Sequence, residues 1–246
     1  MTVIEIQIVS DIVCAWCYIS KRTLDQAINL YRKTYPGGKR DEFKLIWMPY
    51  YLNYNPSLRS VEKRELTKTN PKTKDLTPEQ REKLTQRMNR AGRAAGIAFG
   101  WGGKIGPNPG SRDAHRLIWW SSLPVYATGS GGGDDSDSNL AREKRGALVE
   151  GLFEAYHCLE LDISDRVVLR DVAVRAGFDA AEVQTYLDSE ADADAVDTEA
   201  AKSKNIACSG VPTLIVQGEQ LDGAQDIEDL MKVFVKVKER EQSDVY

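Results

Sequence analysis

At the end of the first apolar stretch the hydrophobic period changes from two to about 3.6, and a pair of cysteines stands on the change. Ile4, Ile6 and Ile8 alternate with Glu5 and Gln7, the period of a strand with one buried face, and Val9 closes it before Ser10-Asp11. Leu24, Ala27, Ile28 and Tyr31 recur at helical spacing, which predicts a helix over about 17–35 ended by Pro36-Gly37-Gly38. Phe43-Lys44-Leu45-Ile46-Trp47-Met48 is β-rich and stops at Pro49. Strand, helix, strand is the opening of an α/β unit, and Cys14-Ala15-Trp16-Cys17 lies at its strand–helix junction.

Beyond this opening the pattern is helical. Thr77-Pro78-Glu79-Gln80 is a capping box with proline at the first helical position, followed by Leu84, Met88, Ala91 and Ala95 on one face. Arg112 to Ser121 reads as another helix. The Gly/Asp/Ser-rich segment 128–139 is expected to be a mobile surface loop. Leu148, Leu152, Phe153, Tyr156 and Leu159 form the best amphipathic stripe; Ser164 is expected to cap the next helix and Gly177 to end it. After residue 205 the period returns to strands at 211–216 and 220–222, and Asp226 caps a last helix carrying Ile227, Leu230, Phe234 and Val237. The expected organisation is an α/β domain in two halves, residues 1–55 and 206–246, separated by an inserted helical domain over 56–205.

Charge and cysteine usage narrow the classes of function. Lys and Arg total 33 against 37 Asp and Glu, a net charge of −4, whereas a nucleic-acid partner requires clustered excess cation. No apolar run reaches the length of a membrane span, so no membrane partner is expected. MTVIEIQIVSDIV lacks a basic start and carries Glu5 in its apolar stretch, so it reads as a strand and not as a secretory signal. Four cysteines in this setting do not make a secreted disulfide scaffold, and the expected compartment is the reducing cytosol.

A helix beginning at Cys14 supplies unpaired N–H groups and the positive end of its dipole, both of which favour thiolate over thiol. The three-residue step brings Cys17 under the same turn. Cys14 is therefore expected to be an exposed nucleophile, Cys17 a more buried resolving thiol, and Trp16 an uncharged shield on the substrate side. Two other readings of the pair stand beside this one. Half of a zinc site would need two more ligands, but His115, His157, Cys158 and Cys208 form no second knuckle, so no metal is expected. Two half-buried structural cysteines are the bland alternative. A C-x-x-C beside a βαβ pattern favours redox chemistry.

Ser209-Gly210-Val211-Pro212-Thr213 is the second informative piece. Proline at a strand start donates nothing to the ladder, which suggests a turn into an edge with a cis Val211–Pro212 bond; an ordinary trans proline is the alternative. A cis bond there would present the Val211 backbone to an extended substrate.

These pieces carry a resemblance. S-D-I-V-C-A-W-C-Y-I-S-K (10–21), W-M-P-Y-Y-L-N (47–53), N-P-G-S-R-D-A-H-R-L-I (108–118), L-F-E-A-Y (152–156), D-I-S-D (162–165), S-G-V-P-T-L-I-V (209–216) and G-A-Q-D (223–226) resemble the DsbA-like thioredoxin-fold proteins, in particular their FrnE-like branch. The resemblance implies an α/β thioredoxin fold (βαβ…ββα) with an inserted all-helical domain. It also implies thiol–disulfide exchange at Cys14 and Cys17, with Pro212 as the cis-proline. Ala15 stands where this family usually has proline. The same superfamily includes glutathione-dependent 2-hydroxychromene-2-carboxylate isomerases and kappa-class glutathione transferases, which typically carry serine at the position of Cys14.

The expected function is a cytosolic thiol–disulfide oxidoreductase. Its substrate would be a disulfide-containing protein or a low-molecular-weight thiol. It needs no tightly bound cofactor, and glutathione is the candidate co-substrate; monomer and homodimer are both left open. A glutathione-dependent isomerase or transferase is the alternative, and a non-catalytic binding module leaves the cysteine pair unexplained. Asn53 and His115 are weaker candidates for substrate contact, with Asn53 and Asn55 reading by default as turn residues and His115 as a packed helical residue. Cys158 and Cys208 are either auxiliary thiols or inert small residues. Trp119-Trp120 reads as core plus domain interface, and the Lys/Arg run 59–74 as a solvated face.

Overall fold

The computed structural model describes residues 1–52, 55, 57–69, 73–123 and 135–243. Strand β1 (Val3–Ser10) leads into helix α1 (Ala15–Thr34), and β2 (Glu42–Pro49) returns parallel to β1 with Ile6 opposite Leu45 and Ile8 opposite Trp47. Near the end of the chain β5 (Thr213–Val216) pairs antiparallel with β1, and β6 (Glu219–Asp222) pairs antiparallel with β5. The sheet order is β2-β1-β5-β6, so residues some two hundred positions apart in the chain are hydrogen-bonded neighbours.

The alternating isoleucines do what their period predicts. Ile4, Ile6 and Ile8 are buried against Leu24, Ala27, Ile28 and Tyr31 of α1 and against Leu230 and Phe234 of the last helix, which spans Ile227–Ser243. Removing each such side chain from water contributes about 1.5–3 kcal/mol. The turn before β2 is also tied to the last helix by a buried ion pair. Asp41 accepts from Lys238 Nζ at 2.7 Å, from the Thr2 amide at 2.9 Å and from the Tyr31 hydroxyl at 2.9 Å.

Between β2 and β5 lie α2 (Lys63–Thr69), α3 (Pro78–Ala94), α4 (Arg112–Trp120), α5 (Asp135–His157), α6 (Arg166–Arg175), α7 (Ala180–Asp188) and α8 (Ala193–Ile206). The last helix is then α9. This stretch is not all-helical, because β3 (Val61–Glu62) and β4 (Lys104–Ile105) form a small antiparallel pair. The capping box at Thr77 is present in full, and cis bonds join Asn108 to Pro109 and Val211 to Pro212.

Several local expectations need correction. Helix α5 begins at Asp135, so the end of the supposed loop is helical. Residues 128–134 lie outside the described residues. Leu159 is not on the amphipathic stripe, because α5 ends at His157 and Leu159 is exposed. Asp165, not Ser164, caps α6 by accepting from the Val167 amide at 2.9 Å, because the Ser164 hydroxyl is already donating to Asp162. Gly177 ends α6 as expected, at a φ of 93° that side chains rarely adopt.

The larger core runs from the cysteine loop straight into the helices. Ile12, Val13, Cys14, Cys17 and Tyr18 share one buried cluster with Leu148, Leu152, Phe153, Leu169, Val172 and Leu187. The Tyr18 ring stacks on Phe153 with centroids 5.1 Å apart, and its hydroxyl donates to Glu150 at 2.7 Å. Lys21 and Arg22 also reach Glu150, so one acidic side chain of α5 gathers three partners from α1. Among the described residues no helix is long and apolar enough to cross a membrane.

Candidate active site

Cys14 is the N-cap residue of α1, with extended backbone angles. Its amide donates to the Asp11 carbonyl at 3.0 Å, and its own carbonyl accepts from the amides of Cys17 at 3.0 Å and Tyr18 at 3.2 Å. The sulfur therefore sits at the mouth of the helix, where the first-turn amides point. Cys14 is less open than the sequence suggests: it is 6% exposed against 2% for Cys17. The order of accessibility is as expected, but the core closes over both. Burial pushes the Cys17 thiol well above its ordinary range, and the Cys14 sulfur beside it adds to the rise.

The partner loop arrives through sheet pairing. Thr213 lies opposite Val9, at the C-terminal end of β1, so the residues just before β5 must pass beside the residues just after β1. Gly210 turns the chain there with φ at 105°, and the cis Val211–Pro212 bond follows. The Cys14 thiol donates to the Val211 carbonyl oxygen at 3.8 Å. Trp16 is half-buried at the rim, with the Arg87 guanidinium 5.5 Å from its ring centroid.

Beneath the loop lies a carboxylate that sequence reading passed over. Asp11 is fully buried; one oxygen accepts from the Val13 amide at 3.3 Å and the other from the Leu52 amide at 2.7 Å. It thereby ties the cysteine loop to the segment after β2. His115 of α4 is 5% exposed and brings Nε2 to 3.4 Å from Asp11 Oδ1, within ion-pairing distance but off the line of a hydrogen bond. His115 thus packs behind the loop instead of lining an open cleft. His157 supports the same loop, its Nε2 lying 2.9 Å from the Ile12 carbonyl. That ring is neutral with hydrogen on Nε2, because a carbonyl only accepts and burial pushes the imidazole pKa down to about 3, with the Lys63 charge adding to the fall.

The remaining candidates scatter. Asn53 lies outside the described residues. Asn55 is buried with its side-chain amide directed at the carbonyls of Arg59, Ile105 and Gly106, so it serves the fold. Cys208 is exposed and its thiol donates to the Asn205 carbonyl at 2.9 Å, while Cys158 is half-buried, with burial raising its thiol pKa. No disulfide joins the four cysteines. Lys63 departs from the solvated run to which it belongs. Its ammonium sits 3.5 Å from the Tyr156 ring centroid, donates to the Tyr156 carbonyl at 2.5 Å, and is pushed down to about 8 by burial. Among the described residues no group of three or more His, Cys, Asp or Glu is arranged to hold a metal ion. Asp11 and Lys63 carry no local motif that marks them.

A family model described as a DSBA-like thioredoxin domain matches residues 5–124 and 139–235. The chain belongs to the DSBA-like thioredoxin domain family. No curated protein matches it in sequence. Among solved structures it is similar to a protein described as a probable DsbA oxidoreductase from Streptomyces coelicolor, with a TM-score of 0.72 and 22% identity over 95% of this chain and 89% of that one. A 2-hydroxychromene-2-carboxylate isomerase matches at a TM-score of 0.60 and 14% identity, covering 98% of this chain and 99% of its own. The cytosolic disulfide reductase DsbM of Pseudomonas aeruginosa, solved with GSH, matches at 0.54 and 12%, covering 98% and 100%. At these identities the likeness is one of fold. The DSBA-like fold accounts for the βαβ and ββα halves and for helices inserted between them.

Proposed function

We propose that this protein is a cytosolic thiol–disulfide oxidoreductase, with Cys14 as nucleophile and Cys17 as resolving thiol. One observation carries the reading: two cysteines of unequal burial share the first turn of α1, and the more accessible one faces the Val211 carbonyl. In the reductive direction, Cys14 thiolate attacks a substrate disulfide, forming a mixed disulfide and releasing one substrate thiolate, which takes up a proton. Cys17 then loses its proton and attacks Cys14 Sγ, releasing the second substrate thiolate. Two electrons have passed to the substrate, and the pair is left as a disulfide. Two equivalents of glutathione, or a partner dithiol, would return it to the reduced state. Val211 and Pro212 would dock an extended substrate by strand-like backbone pairing, with Trp16 at the rim.

The test is a titration of the pair against glutathione redox buffers in a C158S/C208S background, followed by tryptophan fluorescence and by mass-tagging of thiols. A reversible two-electron transition is expected. A midpoint near about −270 mV would mark a reductant and one near about −120 mV an oxidant. A stable glutathione adduct on Cys14 with no Cys14–Cys17 disulfide would overturn the reading in favour of a glutathione-dependent isomerase or transferase.

A further inference from the structure

Helix α3 lies against α1 and brings Arg87 onto the cysteine loop. Lys83, Arg87 and Arg90 are spaced i, i+4 and i+7, so they form one stripe, and all three are exposed. Arg87 fixes where the stripe points, because its guanidinium is laid over the ring of Trp16, the residue between the two cysteines. Among the described residues, none of the three reaches a carboxylate within ion-pairing distance. Some exposed cations elsewhere find one, among them Lys44 with Glu5, Arg142 with Glu42, Lys202 with Glu199, Lys232 with Glu228 and Lys236 with Glu219, while Lys33, Lys39 and Lys104 do not. The stripe's own acid is Glu79, one turn before Lys83, and Glu82 is occupied by Gln86. In a chain of net charge −4, an unpaired positive row beside the candidate nucleophile is a local reversal of sign.

We infer that Arg87, with Lys83 and Arg90, selects disulfide substrates whose cysteine is flanked by acidic residues. The inference rests on the thiol–disulfide reading above and names its substrate class. A carboxylate two or three residues from the substrate sulfur would meet Arg87 while the sulfur meets Cys14 and the peptide backbone meets Val211. The reach is that of an extended segment, at about 3.3 Å per residue. An arginine suits this role because its guanidinium can stack on Trp16 with one face and still present a planar fork of donors to a carboxylate. The attraction acts on encounter and weakens as salt screens it.

The experiment uses the full chain and two peptide disulfides of identical sequence except that three residues beside the cysteine are Glu in one and Gln in the other. The readout is the ratio of their kcat/KM values at low ionic strength. An acidic preference of about tenfold is expected, falling toward unity near 0.5 M salt. R87E should invert the ratio and R87K should keep most of it. The double variant K83Q/R90Q, which touches only exposed side chains, should lower it if R87E fails to fold. A ratio near one in the wild type, or a ratio unmoved in R87E, would overturn the inference while leaving disulfide exchange intact. No turnover of either peptide would overturn both.

Discussion

The thiol of Cys14 and the carbonyl of Val211 lie 3.8 Å apart although 197 positions separate them in the chain. That approach joins the two halves of the α/β unit at one sulfur. If Cys14 makes the first bond to substrate, Cys14→Ser should lose disulfide turnover by three orders of magnitude or more, since the hydroxyl supplies no thiolate. Cys17→Ser should instead stall after the first step and accumulate mixed disulfides. Intact-mass spectra after incubation with a disulfide substrate separate the two outcomes.

Burial orders the thiols by reactivity. Cys208 is exposed, Cys158 is half-buried, and Cys17 is 2% exposed with its pKa pushed up. Under native conditions at pH 7.5 iodoacetamide should label Cys208 rapidly and Cys158 more slowly. Cys14 should follow, and Cys17 should be labelled only on unfolding. Peptide mapping at timed quenches reads the order directly. Early labelling of Cys17 would contradict its place beneath the loop.

Asp11 holds two backbone amides that have no other acceptor close by, and its removal should destabilise the loop on which both cysteines ride. Asp11→Ala is expected to cost about 3 kcal/mol, the scale of buried donors left unmet. Asp11→Asn keeps one acceptor and should cost about half as much. Urea denaturation with an unchanged m-value would isolate the effect on stability. His115→Phe, which fills the same space without the Asp11 contact, distinguishes packing from charge at that position.

His157 makes the fold acid-sensitive in a definable window. Its folded pKa is pushed down to about 3 from an ordinary 6.5, so between those values the unfolded chain binds a proton that the folded chain does not. Stability therefore rises with pH through the window and is lost as pH falls from about 6.5 toward 3, with a slope approaching about 1.4 kcal/mol per unit. Glu150 adds to the loss only at lower pH. Burial opposes its ionisation, but Lys21, Tyr18 and Arg22 hold its carboxyl below the usual range. Between pH 6.5 and 5 the slope should thus belong to His157, and His157→Phe should flatten it. The same variant should lose about 1 kcal/mol at neutral pH through the unpaired Ile12 carbonyl. Thermal melts across pH 5 to 7 check both.

Local signals were legible wherever the residues concerned answer to near neighbours. The alternation of Ile4, Ile6 and Ile8, the Thr77 capping box, the stop at Gly177 and the cis bond before Pro212 were all readable in this way. The misreadings arose from competition over one or two residues. Ser164 looked like a cap until Asp162 took its hydroxyl, and Leu159 fitted the stripe only while α5 was drawn past His157. Lys63 belongs by sequence to a basic run, in which nothing marks the member whose ammonium sits over the Tyr156 ring.

By itself the sequence determined the strand–helix junction, the three-residue spacing of Cys14 and Cys17, and the order βαβ then ββα, because apolar period, turn residues and helix ends act within a few positions. Tertiary structure alone decided what surrounds the sulfurs. The antiparallel pairing of β5 with β1 carries Val211 to Cys14, α4 sets His115 against Asp11, α5 sets His157 under Ile12, and α3 lays Arg87 on Trp16. None of these contacts has a local pattern. Each exists only because burying the apolar faces of distant elements brings their polar side chains to the same place.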